Sequence, residues 1–226
     1  MTWLSHAWPQ IFALTWQHLL LSVPAILLSI LIAVPLGWFA SQFRRIGAIV
    51  LSAATLLYAV PGLPMLIIIP VLFATPLRSP ATMVIALTIY GIALLVRTTA
   101  DSFDSVPGDV RRAAQSLGYS PWSMFWRVDL PLAVPVLISG IRVVTVSTVG
   151  LVTIGALIGI SSLGTLFTDG FQRGIAVEVL TGVILTVALA LLLDLAVVLV
   201  GHRLTPWTRT HDQRAPRVFA SRRVQL

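Results

Sequence analysis

The chain has 226 residues, of which 57% are apolar and only 10% are charged. No water-soluble domain of this length could bury so much apolar surface, so the composition predicts an integral membrane protein. Cysteine is absent, which excludes disulfide frameworks, thiolate metal sites and cysteine nucleophiles. The net charge of +7 comes from arginine alone, and most arginines flank apolar segments, a pattern typical of membrane topology rather than of nucleic-acid binding.

The first predicted transmembrane helix is the uncharged run 19–40, preceded by an external N-terminal segment at 1–18. Arg44 and Arg45 follow the run, and the positive-inside rule places its C-terminal end in the cytoplasm. The run exceeds the apolar core of a secretory signal and has no basic segment before it. It is therefore expected to remain in the protein as a span.

The second apolar run, 46–74, is interrupted between Pro61 and Pro64. Prolines there either kink one span or separate two short helices. We favour one broken span, because splitting the run would put a later arginine group on the wrong side of the membrane. Pro61 and Pro64 are candidates to border a transport path, since broken helices at mid-membrane often do; a simple kink is the alternative.

The remaining spans are predicted from three further apolar runs, 81–99, 132–160 and 176–201. Residues 161–175 form an external connection, and the arginine-rich tail 202–226 fixes the C-terminus inside. The chain is thus predicted to be an all-α polytopic membrane protein with a transmembrane domain at 19–201. It has five helices, or six if the second is split, with the N-terminus outside and the C-terminus inside.

A polar segment at about 100–131 interrupts the apolar pattern on the predicted cytoplasmic side. Ser105 is a candidate N-cap of a helix there, and Asp109 places an acid in its first turn. Four apolar residues recur at helical spacing and form one stripe: Val110, Ala113, Ala114 and Leu117. Gly118 can end this helix in the left-handed conformation.

A second short helix is predicted at 122–128. Ser120 and Pro121 are suited to its N-cap and first position, and the helix is expected to end at Leu130-Pro131. Two short helices joined by a tight turn, between two spans, form a compact cytoplasmic element.

The spacing within this element resembles the "EAA" loop of binding-protein-dependent ABC importer permeases, Glu-Ala-Ala-x3-Gly-x9-Ile-x-Leu-Pro. Six residues of this chain carry the pattern: Arg112, Ala113, Ala114, Gly118, Leu130 and Pro131. Arg112 stands where the family usually has glutamate, which affects any contact made by that acid. An amphipathic surface loop is the alternative; it would explain the apolar stripe but not the fixed spacing.

The stretch from Pro131 to Gly174 looks most like the glycine betaine/carnitine/choline branch of that family. The resemblance implies a multi-pass permease subunit of the bacterial cytoplasmic membrane, working with ABC ATPase subunits, a second permease copy or paralogue, and an external solute-binding protein. It implies no enzyme activity, cofactor, metal or nucleic acid for this chain. An ABC permease for another small solute, such as an amino acid, is the alternative, followed by a secondary transporter or channel subunit.

Two charged residues lie within predicted spans. Arg142 and Asp194 are expected at similar depths, so they either pair across two helices or extend separately toward the inner interface. Gly155 and Gly159 form a GxxxG step, and Gly150 adds a third small residue to the same predicted helix. Such residues permit close helix packing, the favoured interpretation, or line a path between two permease copies.

Overall fold

The computed structural model describes residues 2–207, which form helices and turns without a strand in that range. The α-helices are α1 (Thr2–Gln42), α2 (Arg44–Ala59), α3 (Gly62–Phe73), α4 (Pro80–Asp104), α5 (Gly108–Ser116), α6 (Pro121–Met124), α7 (Leu130–Val152), α8 (Gly164–Gln172) and α9 (Ala176–Leu204). A π-helical turn, Phe125–Asp129, joins α6 to α7, and a 3-10 helix, Thr153–Ile158, follows α7.

Four helical segments of the described chain are long and apolar enough to cross a membrane, namely Ala7–Gln42, Pro80–Asp104, Pro121–Ile158 and Ala176–Leu204. The pair α2–α3 passes the same test jointly but bends by 113° between Ala59 and Gly62. Counted as one broken span, it gives the five spans that were predicted. The break lies at the expected proline, because Val60 and Pro61 adopt extended backbone.

The first helix is longer than expected. It begins at Thr2 rather than at residue 19, and Ala7, Ile11 and Leu14 are buried by packing. No Asp, Glu, Lys or Arg interrupts the stretch before residue 19, so the helix continues without a break. The arginines of the tail beyond Trp207, on which the inside C-terminus rested, lie outside the described residues.

Helix α4 lies at the centre of the bundle and packs closely on α1 and α7. A Cβ added at Gly37 of α1 would lie 2.5 Å from the Thr99 side chain, and one at Gly140 of α7 would lie 2.7 Å from Thr98. At Gly201 of α9 it would lie 2.6 Å from an Ile138 side-chain atom of α7. Small residues at these crossings therefore let the backbones approach.

The boundaries of the polar segment differ from the prediction. Helix α4 continues to Asp104, so Ser105 caps its C-terminus and is not an N-cap; α5 follows Pro107 instead. The second short helix does not end at Pro131 but runs through the π turn into α7. The Leu130 N–H bonds to the Phe125 carbonyl, and this shift of the hydrogen-bond register lets the helix continue past a proline that lacks an N–H.

The predicted GxxxG step is wrong as a helix-packing motif. Helix α7 ends at Val152, so Gly155 lies in the 3-10 helix and Gly159 terminates it with φ +84°. Gly155 still makes a close contact, since an added Cβ would lie 3.3 Å from Met83 of α4. The expected external connection is also more ordered than predicted, because α8 occupies most of it and packs against α9.

Candidate functional site

The turn after α5 has the geometry of a Schellman C-cap. Gly118 adopts φ +82°, its N–H bonds to the Gln115 carbonyl at 3.0 Å, and the Tyr119 N–H bonds to the Ala114 carbonyl at 3.2 Å. Glycine adopts this left-handed backbone without the strain that a Cβ introduces. The predicted helix end at Gly118 is confirmed, and the Ser120 side chain caps α6 as expected, accepting from the Ser123 N–H at 3.3 Å.

An ion pair that the sequence did not reveal anchors α5 to the bundle. Arg111 donates from Nε to Asp129 Oδ1 at 2.8 Å and from Nη2 to the Phe103 carbonyl at 2.7 Å. Trp38, at the end of α1, donates to the other Asp129 oxygen at 3.4 Å. The residue Asp129 is only 3% exposed. One carboxylate thus connects α1, α5 and the π turn, while Arg111 also reaches the end of α4.

An aromatic cluster lies beside this ion pair. Phe125 forms its centre, with its ring centroid 4.9 Å from Trp38, 5.9 Å from Phe103 and 5.0 Å from Trp126. Trp122 extends the cluster toward the surface. Trp38 is half-buried and hydrogen-bonded to Asp129. Rigid packing therefore fixes the orientation of α5 and α6 relative to the membrane helices.

The predicted apolar stripe of α5 divides between two environments. Ala114 alone is buried, at 7% exposed, whereas Val110, Ala113 and Leu117 face outward. Two tryptophans of the following segment are also more than half exposed. Val110, Ala113 and Leu117 lie on one side of α5 and form what we call the outer face of the segment, whereas Trp122 and Trp126 border an apolar groove lined by α1, α7 and α9. Apolar side chains exposed together on rigid helices are typical of a protein-binding surface.

Arg112 takes no part in this outer face. Its side chain is exposed and pairs with Asp109, one turn earlier on α5. The arginine that replaces the usual glutamate therefore projects from the helix surface, and the inward contacts of α5 are made by its neighbour Arg111. Leu130 and Pro131, the last residues of the motif, are half-buried at the start of α7.

Arg142 and Asp194 lie opposite each other on α7 and α9. Arg142 Nε is 2.7 Å from Asp194 Oδ1, and Nη2 is 2.8 Å from Oδ2, a two-point arrangement. The Asp194 side chain is 16% exposed and that of Arg142 is 48% exposed. Of the two sequence-based alternatives, the geometry matches pairing between helices rather than separate extension toward the interface.

The remaining candidate residues do not form one site. A Cβ at Gly150 would meet no atom within 4 Å, so this glycine makes no close helix contact within the described chain. Pro61 and Pro64 are exposed at the bend between α2 and α3.

A buried histidine that no sequence pattern indicated joins α1 to the end of α7 and to the start of α8. His18 is fully buried; its Nε2 lies 3.0 Å from the Val149 carbonyl, and its Nδ1 accepts from the Leu163 N–H at 3.4 Å. The Val149 carbonyl is available because Thr153 donates to Gly150 and Leu151 instead. A neutral imidazole with its proton on Nε2 satisfies both backbone groups.

Comparison with known proteins identifies the family. The model of "Binding-protein-dependent transport system inner membrane component" matches residues 25–209. The chain belongs to this family. It is therefore an inner-membrane permease subunit of an ABC importer, and the resemblance seen in the EAA-like segment is confirmed.

Three curated relatives illustrate the family. The chain is 33% identical to the osmoprotectant import permease protein OsmW of Salmonella typhimurium strain LT2, over 80% of this chain and 86% of that protein. It is 27% identical to the carnitine transport permease protein OpuCD of Listeria monocytogenes, over 84% and 85% of the two chains. It is 26% identical to the glycine betaine/carnitine/choline permease OpuCB of Bacillus subtilis, over 91% and 94%.

The fold matches a solved importer. An inward-facing structure of the MetNI methionine ABC transporter superposes with a TM-score of 0.74, at 20% identity, over 86% of this chain and 96% of that one. At this identity the match supports the all-helical permease fold alone. The family as a whole implies ATPase and solute-binding partners and a membrane location.

Proposed function

We propose that this permease subunit conducts a small quaternary-ammonium compatible solute, such as glycine betaine, choline or carnitine, across the cytoplasmic membrane. The observation that carries the proposal is the agreement among relatives. OsmW is named for osmoprotectants, OpuCD for carnitine, and OpuCB for glycine betaine, carnitine and choline. An amino acid is the competing solute class, and none of these three relatives is named for amino-acid transport.

ATP hydrolysis is assigned to separate cytoplasmic ATPase subunits that dock on the outer face. This surface exposes Leu117 to 78% and Val110 to 41%, although both side chains are apolar. The anchor formed by Arg111 and Asp129 holds the surface rigidly, as transmission of a nucleotide-driven motion requires. A second permease, identical or paralogous, and an external binding protein complete the proposed importer.

The ends of two helices support the orientation with the segment inside the cell. Trp38 at the end of α1 and Phe103 at the end of α4 both contact the anchored segment, so these helix ends share one side of the membrane. Arg44 and Arg45 follow α1 on that side, and the positive-inside rule then makes it the cytoplasmic side.

Docking is tested by adding a charge to the outer face. Leu117→Asp places a carboxylate where an apolar contact is expected, so the ATPase should no longer co-purify with the permease, while membrane insertion stays normal. Gln115→Asp is the matched control, because Gln115 is exposed on the opposite side of α5. Equal ATPase recovery from both variants would show that the outer face is not the docking surface.

A further inference from the structure

One face of α4 carries polar side chains along the membrane-spanning length. Tyr90, Arg97, Asp101 and Asp104 follow one another at intervals of seven, four and three residues, which places them on one side of the helix. All three charged residues are exposed; Asp101 and Asp104 lie at the cytoplasmic end of α4, whereas Arg97 lies within the predicted span. A charged side chain within a span lines a water-filled cavity rather than facing lipid.

Helix stability does not explain the two acids of this polar face. Asp101 and Asp104 lie in the last turn of α4, where the helix dipole disfavours negative charge. The opposite sides of α4 pack against α1 and α7, as the contacts of Gly37 and Gly140 show. The polar face therefore lies away from α1 and α7, and at Tyr90 it is covered in part by Tyr58 of α2.

An aromatic pair lies at the N-terminal end of this polar face of α4. The Tyr58 and Tyr90 rings lie with centroids 5.2 Å apart and planes inclined by 41°, so they form a wedge rather than a flat stack. Tyr58 is 47% exposed and lies two residues before the extended backbone at Val60. Tyr90 also lines a small pocket under the bend, beside Met65 and Met83.

We propose that the rings of Tyr58 and Tyr90, together with the guanidinium of Arg97, form a binding station in the translocation path for a zwitterion that carries a quaternary ammonium and a carboxylate. The inference rests on the proposed function and adds a site to it. Inclined aromatic faces attract a quaternary ammonium through the ring quadrupoles, and they do so more strongly when water is excluded.

Arg97 supplies the complementary charge for the carboxylate. It lies about two turns, or roughly 10 Å, beyond Tyr90 along α4. Arg97 and Tyr90 lie on the same face of α4, because seven residues are close to two full turns. A guanidinium binds a carboxylate through two parallel hydrogen bonds. Choline has no carboxylate, so its passage would use the two rings alone.

The test measures uptake of labelled glycine betaine and choline at saturating solute, in cells where variants replace the chain. Replacing both tyrosines by leucine should lower uptake of both solutes about tenfold. The double change to phenylalanine keeps the aromatic faces and should stay within about twofold of wild type. Arg97→Gln should lower betaine uptake about fivefold or more while choline uptake stays within about twofold.

Phe12→Leu is the matched control, since Phe12 is an aromatic residue 74% exposed on α1, outside the polar face. All variants are compared at equal membrane levels and equal ATPase co-purification. If the wild-type chain imports neither of these solutes nor carnitine, the proposed function is wrong. If it imports both and the tyrosine variants follow the control, or if Arg97→Gln lowers both solutes equally, this inference is overturned and the proposed function stands.

Discussion

Removing the Asp129 carboxylate should loosen the coupling segment from the membrane helices. In Asp129→Ala, Arg111 would keep its bond to the Phe103 carbonyl but lose its counter-ion, and the Trp38 indole N–H would lose its acceptor. Deleting one partner of a buried pair costs ~3–5 kcal/mol. Because the Arg111 side chain is 24% exposed, we expect the lower end of that range.

About 3 kcal/mol corresponds to a decrease in Tm of roughly 6–12 °C for a chain of this size. The assay is thermal unfolding of the purified protein in detergent, followed by the fluorescence of its seven tryptophans. Arg112→Ala is the control, since it breaks only the exposed pair with Asp109 and should lower Tm by no more than about 2 °C.

A double variant distinguishes the cost of leaving Arg111 without its counter-ion from the cost of losing the Arg111–Asp129 ion pair itself. Arg111→Met with Asp129→Leu replaces both charges by apolar groups of similar volume and should be more stable than Asp129→Ala. ATPase co-purification should recover in parallel if the anchor serves mainly to hold the segment. A wild-type Tm for Asp129→Ala, or a double variant less stable than Asp129→Ala, would refute the role assigned to this ion pair.

Three further predictions concern the turn, the helix crossings and the intramembrane pair. Gly118→Val should reduce ATPase co-purification, because valine in left-handed backbone costs ~1–2 kcal/mol. Gly118→Asn should be tolerated, and equal co-purification from the two variants would contradict this prediction. Gly140→Val should lower Tm by clashing with Thr98, while Gly150→Val should not, and a reversed order in the same unfolding assay would count against the observed crossing. Arg142→Asp and Asp194→Arg should each impair transport, and combining them should restore part of it; a combination no better than either single change would show that the pair itself is unimportant.

The spans could be predicted because apolar runs and flanking arginines reflect the local cost of burying charge in lipid. The break at Pro61 and the turn at Gly118 were likewise accessible, since proline and glycine restrict or free the backbone wherever they occur. The same reasoning predicted a wrong helix end at Pro131. A π turn at Phe125–Asp129 shifts the backbone hydrogen bonds, so the helix continues although Pro131 has no N–H.

The contacts that assemble the site were less accessible from sequence. Arg111 and Asp129 lie 18 residues apart on different elements, and the partners of His18 are about 130 and 145 residues away. Such pairs depend on how helices cross, which spacing along one helix does not encode. Arg142 and Asp194 were the exception, because charge within an apolar span is conspicuous and matching depth suggested a partner.

The central claim is that this permease carries quaternary-ammonium compatible solutes into the cell. The most direct measurement is uptake of labelled glycine betaine, choline and carnitine by cells lacking this chain, before and after the gene is restored on a plasmid. The claim predicts that import of at least one of the three falls in the deletion strain and returns with the gene. Unchanged import of all three, with loss of an amino acid instead, would contradict it.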